Sequence, residues 1–253
     1  MKIVNIDKEW LNKKYVEEKV SSHKIANILK LSPTTVKKHL LKDNILCRSN
    51  SEAQHLRFNN HCSLSQEAIE WINGELFGDG SLHPTSVYSS GFEYSSKHLE
   101  YIEYVRDTLK GFGIEQSGKI RCSIKDNKKV AYYYRSRSYP ELMPIRNQWY
   151  PNGKKIIPRD ILLTPLVCRQ HYIGDGSLQH SKKKSYKPLI VLYTCGFTIP
   201  DVEWLVKQII KLGIKATRGV SKNRINISTY STKDFLKYIG ECPVGCYQYK
   251  WAY

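Results

Sequence analysis

Hydrophobic positions between residues 7 and 46 recur with the spacing of short helices. The last of three such stretches has a clear start, because Ser32 can act as an N-cap and Pro33 suits the first helical position. Only a short connection, beginning at Leu29, separates it from the helix before it. The pattern predicts a small all-α helix-turn-helix domain over residues 1–46.

Two small or branched residues indicate how these helices pack. Ala26 would let two helices cross, and Val36 would face the same core. The exposed face of the third helix then carries hydroxyl and amino groups that suit the bases and phosphates of a DNA groove. The candidates for this contact are Thr34, Thr35, Lys37 and Lys38. An ordinary helical hairpin with solvated lysines is the alternative.

Residues 47–62 are polar and lack a sustained hydrophobic period. This composition predicts a linker. Arg48 would allow the linker to contact DNA.

The rest of the chain contains an internal repeat. The pentapeptide GDGSL occurs at residues 78–82 and again 96 residues later, at 174–178. Each copy follows a predicted helix, which starts near Ser63 and Gln66 in the first copy and at Thr164 in the second. Alternating aromatic and basic stretches between further helices predict strands with one wet face.

Each repeat is therefore expected to contain a helix, two strands, a helix, two strands and a helix. The predicted fold class is α+β, with two pseudo-symmetric αββαββα repeats that together form a β-saddle. The first repeat covers residues 63–158 and the second covers residues 159–253. The all-α domain and the linker precede them.

The net charge of the chain indicates which class of partner it binds. The chain has 40 Lys and Arg against 23 Asp and Glu, a formal net charge of +17, which favours nucleic acid over anionic membrane. No apolar run is long enough to span a bilayer. The seven cysteines lack a repeated spacing and favour reduced thiols. We expect an intracellular protein, in the cytoplasm, the nucleoid or an organelle matrix, and not a secreted one.

The repeated Gly-Asp-Gly suits a turn after a helix, but its duplication suggests chemistry. If the first helices of the repeats pack together, Asp79 and Asp175 meet, and like carboxylates repel unless cations lie between them. Carbonyl oxygens at Gly78 and Gly174 add the ligand type that Mg²⁺ prefers. Such a site beside DNA predicts metal-assisted phosphodiester hydrolysis.

The two repeated helices also carry a family resemblance. The sequences WINGELFGDG at 71–80 and CRQHYIGDG at 168–176 resemble the two motifs of single-chain LAGLIDADG homing endonucleases. The sequence WYPNGKKIIP at 149–158 is similar to that family's segment between repeats, especially in its intron-encoded subgroup. The resemblance runs from about residue 63 to the end of the chain.

The resemblance implies a site-specific double-strand DNA endonuclease that works as a monomer on a long asymmetric target. It implies dependence on Mg²⁺, substitution by Mn²⁺, and binding without cleavage in Ca²⁺. Asp79 and Asp175 would bind the metal, and Lys155 and Lys250 would approach the scissile phosphates. Each lysine follows its aspartate at nearly the same distance, by 76 and by 75 residues. Gln170 departs from the family pattern and predicts asymmetric or looser helix packing.

Strand residues of both repeats would read the DNA. Arginine and asparagine side chains suit base edges, and lysines mostly suit phosphates. The candidates are Arg121, Arg135 and Arg137 in the first repeat, and Lys182, Lys187, Arg218, Lys222, Arg224 and Asn226 in the second.

Two other functions remain open. A maturase could use the same fold to bind intron RNA with little or no cleavage, and a regulator could bind DNA through an inert duplicated domain. The presence of both aspartates and both lysines favours cleavage over the regulator. A basic saddle can also hold structured RNA, so the maturase stays an alternative.

Overall fold

The computed structural model describes residues 6–58, 60–126, 128–180, 187–220 and 222–253. The chain forms two compact units, with the boundary between His61 and Cys62. Within the described ranges, no helix has both the length and the apolar character needed to cross a membrane.

The first unit is helical. Ser32 caps α3 as predicted, because its hydroxyl accepts from the backbone N–H of Thr35 at 3.1 Å, and Pro33 occupies the first turn. The helices of this unit are α1 (Lys8–Asn12), which continues into a π-helical turn (Lys13–Glu17), α2 (Ser22–Leu29), α3 (Pro33–Lys42) and α4 (Asn50–Phe58).

A small core joins α2 to α3. Ala26 and Val36 are fully buried in it, as predicted. Between the helices, Lys30 adopts a left-handed conformation with φ 53°, which costs a non-glycine residue about 1 kcal/mol. The backbone N–H of Leu31 then donates to the carbonyl of Ala26 at 2.8 Å, which closes the end of α2.

Residues 47–62 differ from the irregular linker that their composition predicts, because nine of them form α4. The backbone N–H of Ser49 donates to the Glu52 carboxylate at 2.7 Å, and the N–H of Glu52 donates to the Ser49 hydroxyl at 3.2 Å. This reciprocal cap starts a helix without a strong hydrophobic pattern.

The second unit has the predicted α+β fold of two αββαββα repeats. Its first repeat consists of α5 (Gln66–Phe77), β1 (Ser81–Pro84), β2 (Ser90–Ser96), α6 (Leu99–Gly111), β3 (Arg121–Lys125), β4 (Lys128–Tyr139) and α7 (Leu142–Trp149). The second consists of α8 (Pro165–Asp175), β5 (Gly176–Gln179), β6 (Leu189–Leu192), α9 (Ile199–Lys211), β7 (Ala216–Gly219), β8 (Arg224–Ile227) and α10 (Thr232–Ile239). A 3₁₀-helix (Gly245–Trp251) follows.

Each repeat builds an antiparallel sheet with the same topology. The strand orders are β1-β2-β4-β3 and β5-β6-β8-β7 within the described residues. Side chains alternate between a face buried against the helices and an exposed face, as on β8, where Ile225 and Ile227 are fully buried and Arg224 and Asn226 are not. The prediction of strands with one wet face is confirmed.

The first helices of the repeats start at capping residues. The hydroxyl of Thr164 accepts from the N–H of Val167 at 3.3 Å, so α8 starts where predicted. The predicted start of α5 at Ser63 is wrong by two residues. Ser65 is the N-cap, because its hydroxyl accepts from the N–H of Ala68 at 3.1 Å.

Helices α5 and α8 pack closely because Gly74 has no side chain. A Cβ at Gly74 would lie 2.7 Å from the Cβ of Gln170 and 2.9 Å from the carbonyl oxygen of Val167. Gln170 is fully buried, and its amide donates to the Tyr104 hydroxyl at 3.0 Å. Gly74 and Gln170 are equivalent positions of the two repeats, so the packing is asymmetric, as Gln170 predicts, and it is tight.

We expect Gly74→Ala to lower the free energy of unfolding by about 1–3 kcal/mol, because the added methyl group overlaps α8. Urea unfolding followed by tryptophan fluorescence measures the change. Gly111→Ala is the control, since a Cβ there meets nothing within 4 Å. It should stabilise α6 by about 0.5–1 kcal/mol. Equal effects of the two variants would contradict the close approach at Gly74.

Candidate active site between the two repeats

The two Gly-Asp-Gly motifs meet at the ends of α5 and α8. A Cβ at Gly78 would lie 3.1 Å from the Cα of Gly174 and 3.4 Å from the backbone nitrogen of Asp175. A Cβ at Gly174 would lie 3.2 Å from the Cα of Gly78 and 3.5 Å from the nitrogen of Asp79. This backbone contact places the two aspartates, 96 residues apart in sequence, next to each other.

Glycine is required after each aspartate for reasons of space. At Gly80 a Cβ would lie 2.8 Å from the carbonyl oxygen of Glu75, and at Gly176 it would overlap Tyr172. The copies differ in detail. Helix α5 ends at Phe77, before its aspartate, whereas α8 includes Asp175 as its last residue.

Both predicted lysines lie on the motif of their own repeat. Lys155 Nζ donates to the carbonyls of Gly78 at 3.1 Å and Gly80 at 3.0 Å. Lys250 Nζ donates to the carbonyls of Ile173 at 2.5 Å and Tyr172 at 3.4 Å. The carbonyl of Gly78, expected from the sequence to bind metal, therefore already accepts one hydrogen bond and keeps one lone pair.

Burial and mutual charge perturb all four groups. Burial raises the pKa of Asp175 to about 6; the charge of Asp79 adds to the rise, and the two lysines oppose it. Burial also raises the pKa of Asp79, again against the lysines. Burial lowers the pKa of Lys155 and of Lys250 to about 8, and both aspartates oppose that change. The four side chains form one electrostatic cluster.

The oxygen atoms of this cluster suit a hard divalent cation. Among the described residues, no group of three or more His, Cys, Asp or Glu side chains could hold a metal ion by itself. Mg²⁺ does not need one, since it keeps several waters and binds through one or two carboxylates together with substrate phosphates. Asp79 and Asp175 are buried neighbours, and the charge of Asp79 adds to the raised pKa of Asp175, so a cation between them would stabilise both carboxylates. The residues present fit such an ion.

Residues 69–235 match the model of the LAGLIDADG DNA endonuclease family. The chain belongs to this family. An uncharacterized protein of Methanocaldococcus jannaschii is 26% identical over 199 residues, which cover 78% of this chain and 75% of that protein. The cytochrome b mRNA maturase bI2 of Debaryomyces hansenii is 26% identical over 164 residues, 61% of this chain. The match spans 60% of the maturase, less than two thirds of its length.

A solved structure shares the LAGLIDADG fold. The homing endonuclease I-WcaI bound to its DNA recognition sequence aligns with a TM-score of 0.63 at 20% sequence identity. The alignment covers 78% of this chain and 91% of I-WcaI.

The first LAGLIDADG repeat exposes its predicted DNA contacts on one sheet. Arg121, Arg135 and Arg137 are all exposed. Arg135 Nε lies 2.9 Å from the carboxylate of Glu93 on β2, which the sequence analysis missed. The alternation of β2 could have placed Glu93 on this face, because its neighbours Phe92 and Tyr94 are buried.

In the second LAGLIDADG repeat, the predicted DNA contact by Arg218 is wrong. Arg224, Asn226, Lys187 and Lys222 are accessible, but Arg218 pairs in register with the buried Ile225 and therefore lies on the helix-facing side. Its guanidinium is 3.4 Å from the carboxylate of Glu203 on α9. Arg218 is thus turned away from the face that carries the other candidates. The predicted contact by Lys182 lies outside the described residues.

The unit before the LAGLIDADG repeats exposes Thr34, Lys37 and Lys38 on α3. Thr35 is half-buried, and its hydroxyl lies 2.8 Å from that of Ser32 in the helix cap. Arg48 already has partners within its own unit, and its predicted DNA contact stays a prediction. Its guanidinium donates to the carbonyls of Tyr15 and, at 3.1 Å, Val20, and it lies 4.0 Å from the centre of the Tyr15 ring. These contacts connect Arg48 to Tyr15 and Val20 of the same unit.

Sequence reasoning also missed Glu75, which is fully buried in α5. Burial raises its pKa to about 8, and the Tyr101 hydroxyl donates to it at 2.5 Å. The available signal was its position in the sequence WINGELF at 71–77, where the predicted buried helix is otherwise mostly apolar. A carboxyl group with this pKa is mostly neutral at pH 7, so it adds no charge beside the aspartates.

We expect Asp175→Asn to raise the free energy of unfolding of the metal-free protein at pH 7–8. The pKa of Asp175 rises on folding from 3.8 to about 6, so ionised Asp175 opposes folding above pH 6. As the pH falls from about 6 to 4, the folded protein takes up the proton first and the opposition disappears.

Urea unfolding between pH 4 and 8 in a chelating buffer tests this expectation. Asp160→Asn, at an exposed position, controls for the loss of one negative charge. An Asp175→Asn variant that is destabilised at pH 7 and equally so at pH 4 would contradict the destabilising effect of ionised Asp175.

Proposed function

We propose that the protein is a site-specific, metal-dependent endonuclease that cuts both strands of duplex DNA and acts as a monomer. The contact of Gly78 with Gly174 carries this proposal, because it brings two aspartates and two lysines of one chain into one cluster. A second subunit is not needed, since both motifs lie in the same chain.

Four side chains have complementary roles in this proposal. Asp79 and Asp175, with the carbonyls of Gly78 and Gly174, would hold Mg²⁺ or Mn²⁺. Such an ion, when bound, supplies charge neutralisation at a phosphate and lowers the pKa of bound water. Lys155 and Lys250 would each approach one scissile phosphate. Their pKa values near 8 let them hold or release a proton at neutral pH.

The exposed sheet faces supply the proposed DNA contacts. Arg121, Arg135 and Arg137 lie on one face, and Arg224 and Asn226 lie on the other. Arginine suits guanine, and asparagine suits adenine. The fold is shared with I-WcaI, which is bound to its DNA recognition sequence, and the net charge of +17 suits a long duplex.

An RNA maturase is the second candidate. The observation that favours it is the 26% identity to the cytochrome b mRNA maturase bI2 over 164 residues. The same basic faces could hold structured RNA, whose phosphates carry the same charge as those of DNA.

One experiment separates these functions. The genomic sequences on either side of the coding frame are joined and cloned into a plasmid, which is incubated with the purified protein and Mg²⁺. Discrete linear DNA supports the endonuclease. Absence of cleavage with tight, specific binding to the intron RNA supports the maturase instead.

We expect Asp79→Asn and Asp175→Asn each to abolish double-strand cleavage, by at least about 100-fold, because each removes an anionic metal ligand. Binding to the same DNA in Ca²⁺ should stay within about threefold of wild type. Gel-based cleavage and fluorescence anisotropy measure the two properties. Full cutting by either variant would contradict its assigned role, and Asp160→Asn serves as the charge control.

We further propose that the first unit lengthens the DNA footprint through the exposed face of α3. Lys37→Ala and Lys38→Ala should each weaken binding and reduce the slope of log K against log salt by about 1, since each removes a phosphate contact. Lys13→Ala, in the π-helical turn, is the matched control. Unchanged salt slopes for both α3 variants would refute this role.

A further inference from the structure

The segment that carries Lys250 belongs to the second repeat by sequence but is held by the first. It is the 3₁₀-helix Gly245–Trp251, and its first two backbone amides point at a carboxylate on α6. The N–H of Gly245 donates to Glu100 Oε1 at 2.8 Å, and the N–H of Cys246 donates to Oε2 at 3.0 Å. Both oxygens of Glu100 therefore bind the start of a helix that lies 145 residues further along the chain.

The side chain of Tyr247 strengthens the same attachment. Its ring centre lies 5.0 Å from that of Tyr101 and 5.1 Å from that of His98, both in edge-on geometry. Its hydroxyl is 3.2 Å from the hydroxyl of Ser96. All three partners are in the first repeat.

The other end of the 3₁₀-helix is fixed on the second repeat. Lys250 Nζ donates to the carbonyls of Tyr172 and Ile173, and the hydroxyl of Tyr172 donates to the carbonyl of Lys250 at 2.6 Å. Lys250 is thus held between an anchor on one repeat and a motif on the other.

A related ion pair lies just after Lys155, at the start of the second repeat. Four residues after Lys155, Arg159 pairs with Asp201 in the first turn of α9, at 2.7 Å. Its guanidinium also lies 5.2 Å from the ring of Trp204 on α9. Glu100 and Asp201 thus both lie in the first turn of the second helix of a repeat, and each binds a residue close to one of the two lysines in sequence.

We propose that Glu100 is a positioning residue for Lys250, and that it controls the rate at which one of the two DNA strands is cut. The inference rests on the endonuclease function proposed above. A carboxylate that accepts the first free amides of a helix fixes the start of that helix. Without it, the start of the helix that carries Lys250 loses its hydrogen bonds to the first repeat, and only the contacts of Tyr247 described above remain. A displacement of about 1 Å at a catalytic group can cost about 100-fold in rate.

The test follows each strand of a supercoiled plasmid that carries the target. Glu100→Ala should accumulate open-circular DNA, because one strand is cut at least about tenfold more slowly while the other stays within about twofold of wild type. Glu103→Ala, one turn along α6, is the matched control and should give linear DNA at the wild-type rate.

Strand-specific end labels show which lysine is affected. Lys250→Ala should slow the same strand as Glu100→Ala, and Lys155→Ala should slow the opposite strand. The double variant Glu100→Ala/Lys250→Ala should be no slower than Lys250→Ala alone, since both changes act through one group. If Glu100→Ala folds poorly, Glu100→Gln, which keeps one acceptor oxygen, should shift the strand ratio in the same direction by a smaller factor.

A second measurement does not depend on cleavage. In the DNA-free protein, amide hydrogen exchange across residues 245–251 should rise by about tenfold or more in Glu100→Ala and stay unchanged in Glu103→Ala. Unchanged exchange would overturn the anchor.

Equal slowing of both strands, or slowing of the Lys155 strand, would overturn the positioning role. A wild-type protein that cuts no target would refute the endonuclease and with it the strand effect. The exchange result would then still report on the anchor itself.

Discussion

The close approach of α5 and α8 is the contact on which the rest of the second unit depends. It is possible because Gly74 presents no side chain to Gln170 and Val167, and because Gly78 meets Gly174 backbone to backbone. Because α5 and α8 approach so closely, their C-terminal ends lie side by side. Asp79 directly follows Gly78 and Asp175 directly follows Gly174, so the two aspartates become neighbours. Burial and, after it, the charge of Asp79 raise the pKa of Asp175, and the two lysines offset part of that rise. The site thus costs stability, as functional sites often do.

Two further titratable side chains at the interface between α5 and α8, Glu75 and His171, are mostly neutral, each for a different reason. Glu75 and His171 occupy equivalent positions of the repeats, and both are buried. Burial raises the pKa of Glu75 to about 8 and lowers that of His171 to about 3, so both side chains are mostly neutral at pH 7. The His171 ring stacks on Phe77 with ring centres 4.9 Å apart. Charge in this region is therefore concentrated on the aspartates and lysines.

Local signals were enough to predict most of the fold. Caps such as Ser32 and Thr164 predicted helix starts. The family resemblance implied Lys155 and Lys250, and their matched distances of 76 and 75 residues from the two aspartates supported that pairing. Features set by distant partners were not predictable. The face of Arg218 depends on its register with β8, and the contacts of Arg48 depend on Tyr15, 33 residues away. The spacing of Ser49 and Glu52 is that of a capping box and could have predicted the start of α4. The polar composition of the segment favoured a linker instead.

The pairing of Gly74 with Gln170 has a consequence for how the molecule could have evolved. Two copies of the first half, joined as a symmetric dimer, would set glycine against glycine and leave a gap between the helices. Two copies of the second half would set one buried glutamine against another, where the space found at Gly74 no longer exists. At this position each half therefore fits the other half better than it would fit a copy of itself.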